Sequence, residues 1–156
     1  MDYNKLIFSD IELFKKGNNI LVSYYGQKIK IRTPVLKCKS SITKQYNKYG
    51  ILLDLNSDYK FINFLKNLDT FFINNSLNDG MKYKNSFYYL NNCWKLKVPY
   101  KYNNYEIDIS SKNNYLSTSS DITENINVVC EVELSNIWIY KNTYGCLWIL
   151  KKIDII

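Results

Sequence analysis

The segment VELSNIWIYKNTYGCLWILKKIDI, residues 132–155, contains two apolar runs on either side of a short polar turn that includes Gly145. This pattern predicts a β-hairpin. Alternation places Trp138, Tyr140, Cys146, Trp148 and Leu150 on one predicted face, and Ile137, Ile139, Leu147 and Ile149 on the other. Both faces are apolar, whereas a sheet with one face in water alternates apolar and polar residues. The hairpin therefore needs a cover on its second side, either more protein or a ligand that binds flat aromatic surfaces.

Length and composition predict a globular protein. The 156 residues suffice for one domain with a full core, which we expect to span residues 1–156. Hydrophobic residues make up 46% of the chain, as is typical of folded proteins. No apolar run approaches the ~20 residues that cross a membrane, and the opening MDYNKLIFSD does not resemble a secretory leader. We therefore expect an intracellular protein that does not interact with membranes.

Residue types suited to catalysis and metal binding are scarce. The chain has no histidine, so the usual general base and most nucleophile–base pairs are missing. The four cysteines lie far apart without CxxC spacing, which favours buried free thiols over a zinc site. The common nucleotide-binding and hydrolase motifs are absent. The sequence therefore predicts no enzyme, with no catalytic residues, no metal site and no cofactor.

One helix interrupts an otherwise strand-like pattern. In LNSDYKFINFLKNLDTFFINN, residues 55–75, apolar residues recur at three- and four-residue steps. Asn56 or Ser57 is the predicted N-cap, and we expect a helix over about 57–76. Two polar regions, about 77–92 and about 110–121, are expected to be loops. A single central helix among strands predicts a mainly β fold, either a small barrel or a sandwich.

Basic residues form the first candidate site. The net charge is +7, and Arg32 is the only arginine, so lysines supply most of the positive charge. The candidate residues are basic rows with tyrosines beside them: Lys28, Lys30, Arg32, Lys37, Lys95, Lys97, Tyr100, Lys101 and Tyr102. One groove lined by such residues is suited to single-stranded nucleic acid, because lysines pair with phosphates and bases stack on aromatic rings. A solvated strand face in a lysine-rich chain is the competing interpretation, and the residues alone leave both open.

The aromatic residues of the hairpin form the second candidate site. Large aromatic residues on central strands usually pack in the core, and we expect this of Trp138 and Trp148. Tyr144 stands beside Gly145 at the predicted turn. It is therefore the predicted surface residue of the hairpin and a further candidate for contact with nucleic acid.

Several motifs occur in a defined order along the chain. The sequence contains a strand ending in Thr33-Pro34, the strand YGILLDL, the helix motif F-x-x-x-L-x-x-L-D from Phe61, and the closing pattern L-x-x-I-W…G-x-x-W-x-L over 134–150. Together they resemble the family of single-stranded DNA-binding proteins of nucleocytoplasmic large DNA viruses, which is related to those of podovirus phages. The resemblance covers about half to two-thirds of the chain and leaves residues 77–120 unmatched.

The resemblance implies an OB-fold-like β-barrel with an inserted helix. It also implies non-catalytic, sequence-independent binding of single-stranded DNA during viral replication or recombination. RNA, a second copy of the chain and viral replication proteins are further candidate partners. The implied location is the infected host cell, in a cytoplasmic virus factory or the nucleus, with the virion as an alternative.

Phage-type members of this group end in an acidic tail that recruits replication partners, whereas this sequence ends in LKKIDII. The alternative function is therefore a structural or interaction domain that docks proteins on its apolar hairpin face. Such a domain belongs in a virion, in a replication complex, or in a factor that interacts with the host.

Overall fold

The computed structural model describes residues 1–76, 80–88, 90–112 and 117–156. In this part of the chain β-strands dominate, and there is one α-helix, α1 (Tyr59–Asn75). Short 3₁₀ segments lie at Tyr3–Lys5, Phe8–Asp10 and Ser119–Asp121. The strands are β1 (Ile11–Lys16), β2 (Asn19–Tyr24), β3 (Ile29–Arg32), β4 (Leu36–Cys38), β5 (Thr43–Gln45), β6 (Lys48–Asp54), β7 (Lys82–Lys84), β8 (Phe87–Tyr88), β9 (Cys93–Val98), β10 (Tyr100–Lys101), β11 (Asn104–Tyr105), β12 (Asp108–Ser111), β13 (Asn127–Tyr140) and β14 (Thr143–Ile155).

The two predicted loop regions contain more regular structure than expected. Strands β7 and β8 lie within 77–92, and the end of β12 and the last 3₁₀ segment lie within 110–121. Residues 77–79, 89 and 113–116 of these predictions lie outside the described residues. The short strands escape sequence analysis because two or three residues are too few to show a periodicity.

Five of the strands close into a ring. Their order around it is β4, β6, β9, β14 and β13, and β13 pairs in turn with β4. All neighbours are antiparallel except β9 and β14, which pair in parallel at Lys97 and Ile149. Strand β3 extends β4 across Pro34, because both pair with β13. This closed ring of five strands with one helix is an OB-fold-like β-barrel, which confirms the predicted fold class.

The closing hairpin is present, but its register differs from the predicted one. Pairing across the turn at residues 141–142 joins Tyr140 to Thr143 and Trp138 to Gly145. Successive residues of a strand point to opposite faces. Ile137 is buried in the core, so Trp138 lies on the outer face. Tyr144, Trp148 and Leu150 point into the core and are buried. The predicted faces of the hairpin were wrong, because a shift of one residue reverses every side chain of a strand.

The helix packs its apolar stripe against the barrel. The carboxylate of Asp58, rather than Ser57 or Asn56, caps its N-terminus and accepts a hydrogen bond from the Phe61 amide at 2.8 Å. The Phe61 ring meets Trp94, on the inner face of β9, edge to face at 5.4 Å. Trp94 in turn meets Trp148 at 5.4 Å, so the helix and the closing hairpin share one aromatic core.

The four cysteines lie within the described residues and form no disulfide bond there. Cys38, Cys93 and Cys130 are buried, and Cys146 is half-buried. Burial raises the pKa of the Cys38 thiol to about 11, so this group is protonated at neutral pH. Within the described residues, no helix has both the length and the apolar character needed to cross a membrane.

Replacement of the helix cap tests this part of the fold. Asp58→Ala leaves the Phe61 amide without its partner, so we expect the free energy of unfolding to fall by about 1 kcal/mol. Ser57→Ala is the matched control and should be near neutral, since Ser57 is exposed and lies outside the cap. Urea unfolding measures both. Equal losses in the two variants would contradict the assigned cap.

Candidate nucleic-acid interface

A groove of about 380 Å³ crosses the outside of the barrel over β6, β9 and β14. Strands β7 and β8 form its wall on one side. The groove is lined by Lys48, Tyr49, Lys84, Asn85, Ser86, Phe87, Tyr88, Lys95, Lys97, Trp138, Cys146, Leu147 and Trp148. In an OB-fold, the face of the second and third barrel strands and the loops beside it bind oligonucleotides. Here those two strands are β6 and β9, so the groove lies on the same face.

Four lysines give the groove its positive charge: Lys48, Lys84, Lys95 and Lys97. None of the described residues in its lining is acidic. The ion pairs found between described residues involve none of these four lysines. Lys95 Nζ donates a hydrogen bond to Gln45 Oε1 at 3.4 Å, which leaves its charge uncompensated. The ammonium groups are therefore available to an anionic polymer.

Trp138 contributes an aromatic side chain to the groove because its neighbour across the hairpin is glycine. A Cβ atom at Gly145 would come within 3.0 Å of both Trp138 Cζ2 and the carbonyl oxygen of Lys84. The absence of that atom lets the indole and the β7 backbone pack on the same point of β14. Leu147 lines the groove beside the indole, so the outer face of the hairpin combines apolar surface with the surrounding lysines.

A buried carboxylate holds the wall of the groove. Asp69, on the inner side of α1, is 1% exposed. It accepts hydrogen bonds from the Tyr83 hydroxyl at 2.6 Å and from the Ser86 amide and hydroxyl at 2.9 and 2.6 Å. Trp148 Nε1 donates to the same Ser86 hydroxyl at 3.3 Å. Since Lys84 lies between the two tethered residues, Asp69 fixes the position of a lysine that it does not contact.

Two exposed tyrosines lie at strained turns near one end of the groove. Tyr46 and Tyr102 have φ angles of 50° and 51°, and each precedes an asparagine that is also at positive φ. Tight hairpin turns need positive φ at both central residues, but a bulky side chain there costs roughly 1 kcal/mol more than glycine. The rings are 89% and 83% exposed, so core packing does not account for this cost. Strained, exposed residues of this kind are frequent at functional sites.

Further tyrosines connect these turns to the groove. Tyr49, which lines the groove, packs against Tyr100 with 4.3 Å between ring centroids and against Tyr105 at 5.2 Å. Lys101 Nζ lies 4.9 Å from the centre of the Tyr102 ring. The predicted residues Tyr100, Lys101 and Tyr102 therefore stand beside the groove, next to the end of β9.

The remaining predicted basic residues lie elsewhere. The predicted basic residues of β3 and β4 are absent from the groove lining, so this groove joins only part of the predicted set. Lys30 Nζ is 3.7 Å from a carboxylate oxygen of Glu133, and Arg32 is 3.7 Å from that of Asp154. Lys28 donates to the Ser135 carbonyl at 3.3 Å. Lys37 on β4 is the cross-strand partner of Asp54 on β6.

Two assignments within the hairpin were reversed. Tyr144 was predicted at the surface, but it is 3% exposed and its ring packs against Tyr83 at 5.0 Å. Trp138 was predicted in the core, but it lines the groove. Lys84 was missed because it lies in the region expected to be a loop. The alternation of Lys82 and Lys84 about Tyr83 was the only sequence signal for a strand there.

Comparison with known proteins gives the class of the fold. No protein-family model matches the sequence. No curated protein sequence matches it either. The solved structure of the single-stranded DNA-binding protein from bacteriophage Enc34, truncated at its C-terminus, is similar with a TM-score of 0.53 and 15% identity, over 96% of each chain. The structure of the Enc34 protein in complex with single-stranded DNA is similar with a TM-score of 0.51 and 14% identity, over 94% of each chain.

These likenesses extend over almost the whole of both chains. At such low identity they establish a common fold and no more. The chain therefore has the OB-like fold of phage single-stranded DNA-binding proteins.

The titration of Asp69 tests the tether of the groove wall. Burial raises the pKa of this carboxyl, hydrogen bonds from Ser86 and Tyr83 lower it, and the net direction is upward. Folding then favours the protonated form, so the stability contributed by Asp69 is present at low pH and is lost as pH rises through its folded-state pKa. Asp69→Asn does not titrate. We expect the difference in unfolding free energy, wild type minus variant, to grow as pH falls from neutral toward 3.8.

Urea unfolding at several pH values measures this difference, with Asp108→Asn on the exposed side of β12 as the control for a lost carboxylate. A difference that shrinks on acidification would contradict the expected sign. It would mean that the hydrogen bonds to the ionised carboxylate outweigh its burial.

Proposed function

We propose that the protein binds single-stranded DNA without sequence preference, as a non-catalytic component of the replication or recombination of a large DNA virus. The observation that carries the proposal is the groove over β6, β9 and β14, where four uncompensated lysines surround aromatic side chains. The shared fold with phage single-stranded DNA-binding proteins supports it, as does the order of the sequence motifs.

The groove has the two components that a flexible nucleic acid strand requires. Its ammonium groups pair with phosphates, and Trp138, Tyr49 and Tyr88 offer rings to unpaired bases, at about 1–3 kcal/mol for each stacked base. We propose that the strand continues past Tyr100 to the exposed rings of Tyr46 and Tyr102. Rings that project from turns stack on bases that are free of a duplex, so single strands should be preferred.

The types of charge present argue against sequence reading. Specific recognition of bases uses planar, bidentate groups such as guanidinium. Arg32, the only arginine, is engaged near Asp154 and lies outside the groove. Lysine ammonium groups act as point charges and do not distinguish one phosphate from another. RNA carries the same phosphates and bases, so it remains a second ligand in the proposal.

The alternative function, docking of proteins on the apolar hairpin face, has less support. Trp138 and Leu147 lie on the outer face, but lysines surround them on the neighbouring strands. Protein interfaces are depleted of lysine at their centres. A nucleic acid strand matches this mixture of charge and aromatic surface better than a protein does.

Salt dependence is the direct test of the proposed function. If the four groove lysines each neutralise one phosphate, log affinity for a labelled oligo-dT should fall with log salt at a slope of about −2.8, taking about −0.7 for each phosphate. Fluorescence anisotropy at several salt concentrations measures this slope, with duplex DNA as competitor. A slope near zero, or equal binding of duplex, would overturn the proposal.

Two double variants locate the binding surface. Lys95→Ala with Lys97→Ala removes two groove charges and should make the salt slope less steep by about 1.4, which is roughly a twenty-fold loss of affinity at about 0.1 M salt. Lys28→Ala with Lys30→Ala removes the same charge from the other basic row and should leave the slope almost unchanged. The reverse order of effects would move the binding surface to β3.

A further inference from the structure

The hairpin of β1 and β2 forms one edge of the sheet, and β1 contributes no residue to the groove lining. Among the described strands, β1 pairs only with β2 and ends the sheet. The turn between them is two residues long and begins with Gly17 at a φ of 59°. In such a hairpin the closing pair, Lys16 and Asn19, is hydrogen-bonded, and such pairs alternate along the ladder. The backbone groups of Leu13 and Lys15 therefore point away from β2.

The outer face of this hairpin carries exposed apolar side chains. Phe14 is 53% exposed, and its cross-strand neighbour Leu21 is 43% exposed. Glu12 and Lys16 flank Phe14 on the same face, two residues away on either side, and both are exposed. They are too far apart along the strand to contact each other, at roughly 13 Å for four residues. The strand thus shows an acid, a ring and a base at equal spacing.

From this pattern we infer that β1 pairs antiparallel with β1 of a second copy of the chain, with Phe14 at the two-fold axis. Antiparallel pairing about Phe14 places each Glu12 opposite Lys16 of the other copy. It also places Leu13 opposite Lys15 of the other copy, where the free backbone groups of both strands meet. Any other partner would have to present a base, an apolar residue and an acid at the same spacing. A second copy of β1, running antiparallel, already presents them.

The side chains agree with this register. Phe14 would face its own copy in a pair without backbone hydrogen bonds, where side chains approach most closely. Leu21 lies next to Phe14 in each protomer, so an apolar row of four residues would cross the junction. The Lys15 stem covers Leu13 of the other copy while its ammonium group reaches water.

A charge exchange tests this pairing in the absence of DNA, so its outcome is independent of the proposed function. Glu12→Lys alone, or Lys16→Glu alone, places like charges opposite each other twice in the dimer and should weaken association more than about tenfold. The double variant E12K/K16E restores opposite charges and should regain the dimer. Glu124→Lys is the matched control for Glu12→Lys, because it makes the same change in net charge at an exposed residue outside β1.

Sedimentation velocity from micromolar to millimolar protein measures the association. We expect the wild type and E124K to rise from the monomer mass of 18.6 kDa toward twice that value, and the single exchanges to remain monomeric. Thermal unfolding midpoints close to the wild-type value would show that the variants are folded. A wild type that is monomeric throughout, single variants that dimerise normally, or a double variant that stays monomeric would each overturn the inference.

Discussion

The two-residue turn at 141–142 sets the register on which the rest of the structure depends. Because Tyr140 pairs with Thr143, the inner positions of β14 hold Tyr144, Trp148 and Leu150. On the outer face of the hairpin, Trp138 of β13 is paired with Gly145 of β14. A shift of one residue would bury the groove surface and expose the core. The same two strands pair with β2, β3, β4, β7, β9 and β12, so this one register orients nearly every side chain of the barrel.

The predictable part of the fold is the part with a long periodicity. The helix, the mainly β class and the basic strand face of β9 follow from patterns of six or more residues, and the structure contains them. The hairpin faces were not predictable, because the polar turn YKNTYG allows more than one loop length and each length fixes a different register. The assignments of Trp138 and Tyr144 were consequently exchanged. Lys84 was missed since its strand has only three residues.

The two basic rows illustrate why charge in a sequence does not locate a site. Both alternate on strands and look equivalent along the chain. In three dimensions β3 lies beside β13, whose Glu133 meets Lys30, whereas β9 lies between strands that carry no carboxylate toward the groove. Neighbouring strands decide whether a lysine is compensated, and the order of strands in the sheet cannot be read from the pattern of one strand.

The order of the barrel strands along the chain has a consequence for biosynthesis. Strands β3 and β4 find their barrel partner in β13, which is made about a hundred residues later: Arg32, for example, pairs with Glu131. Strand β4 can pair early with β6, but β3 and the other edge of β4 wait for β13 while about a hundred residues are synthesised. Only when the final hairpin leaves the ribosome can the ring close. Until then the exposed strands are a target for aggregation or for a chaperone.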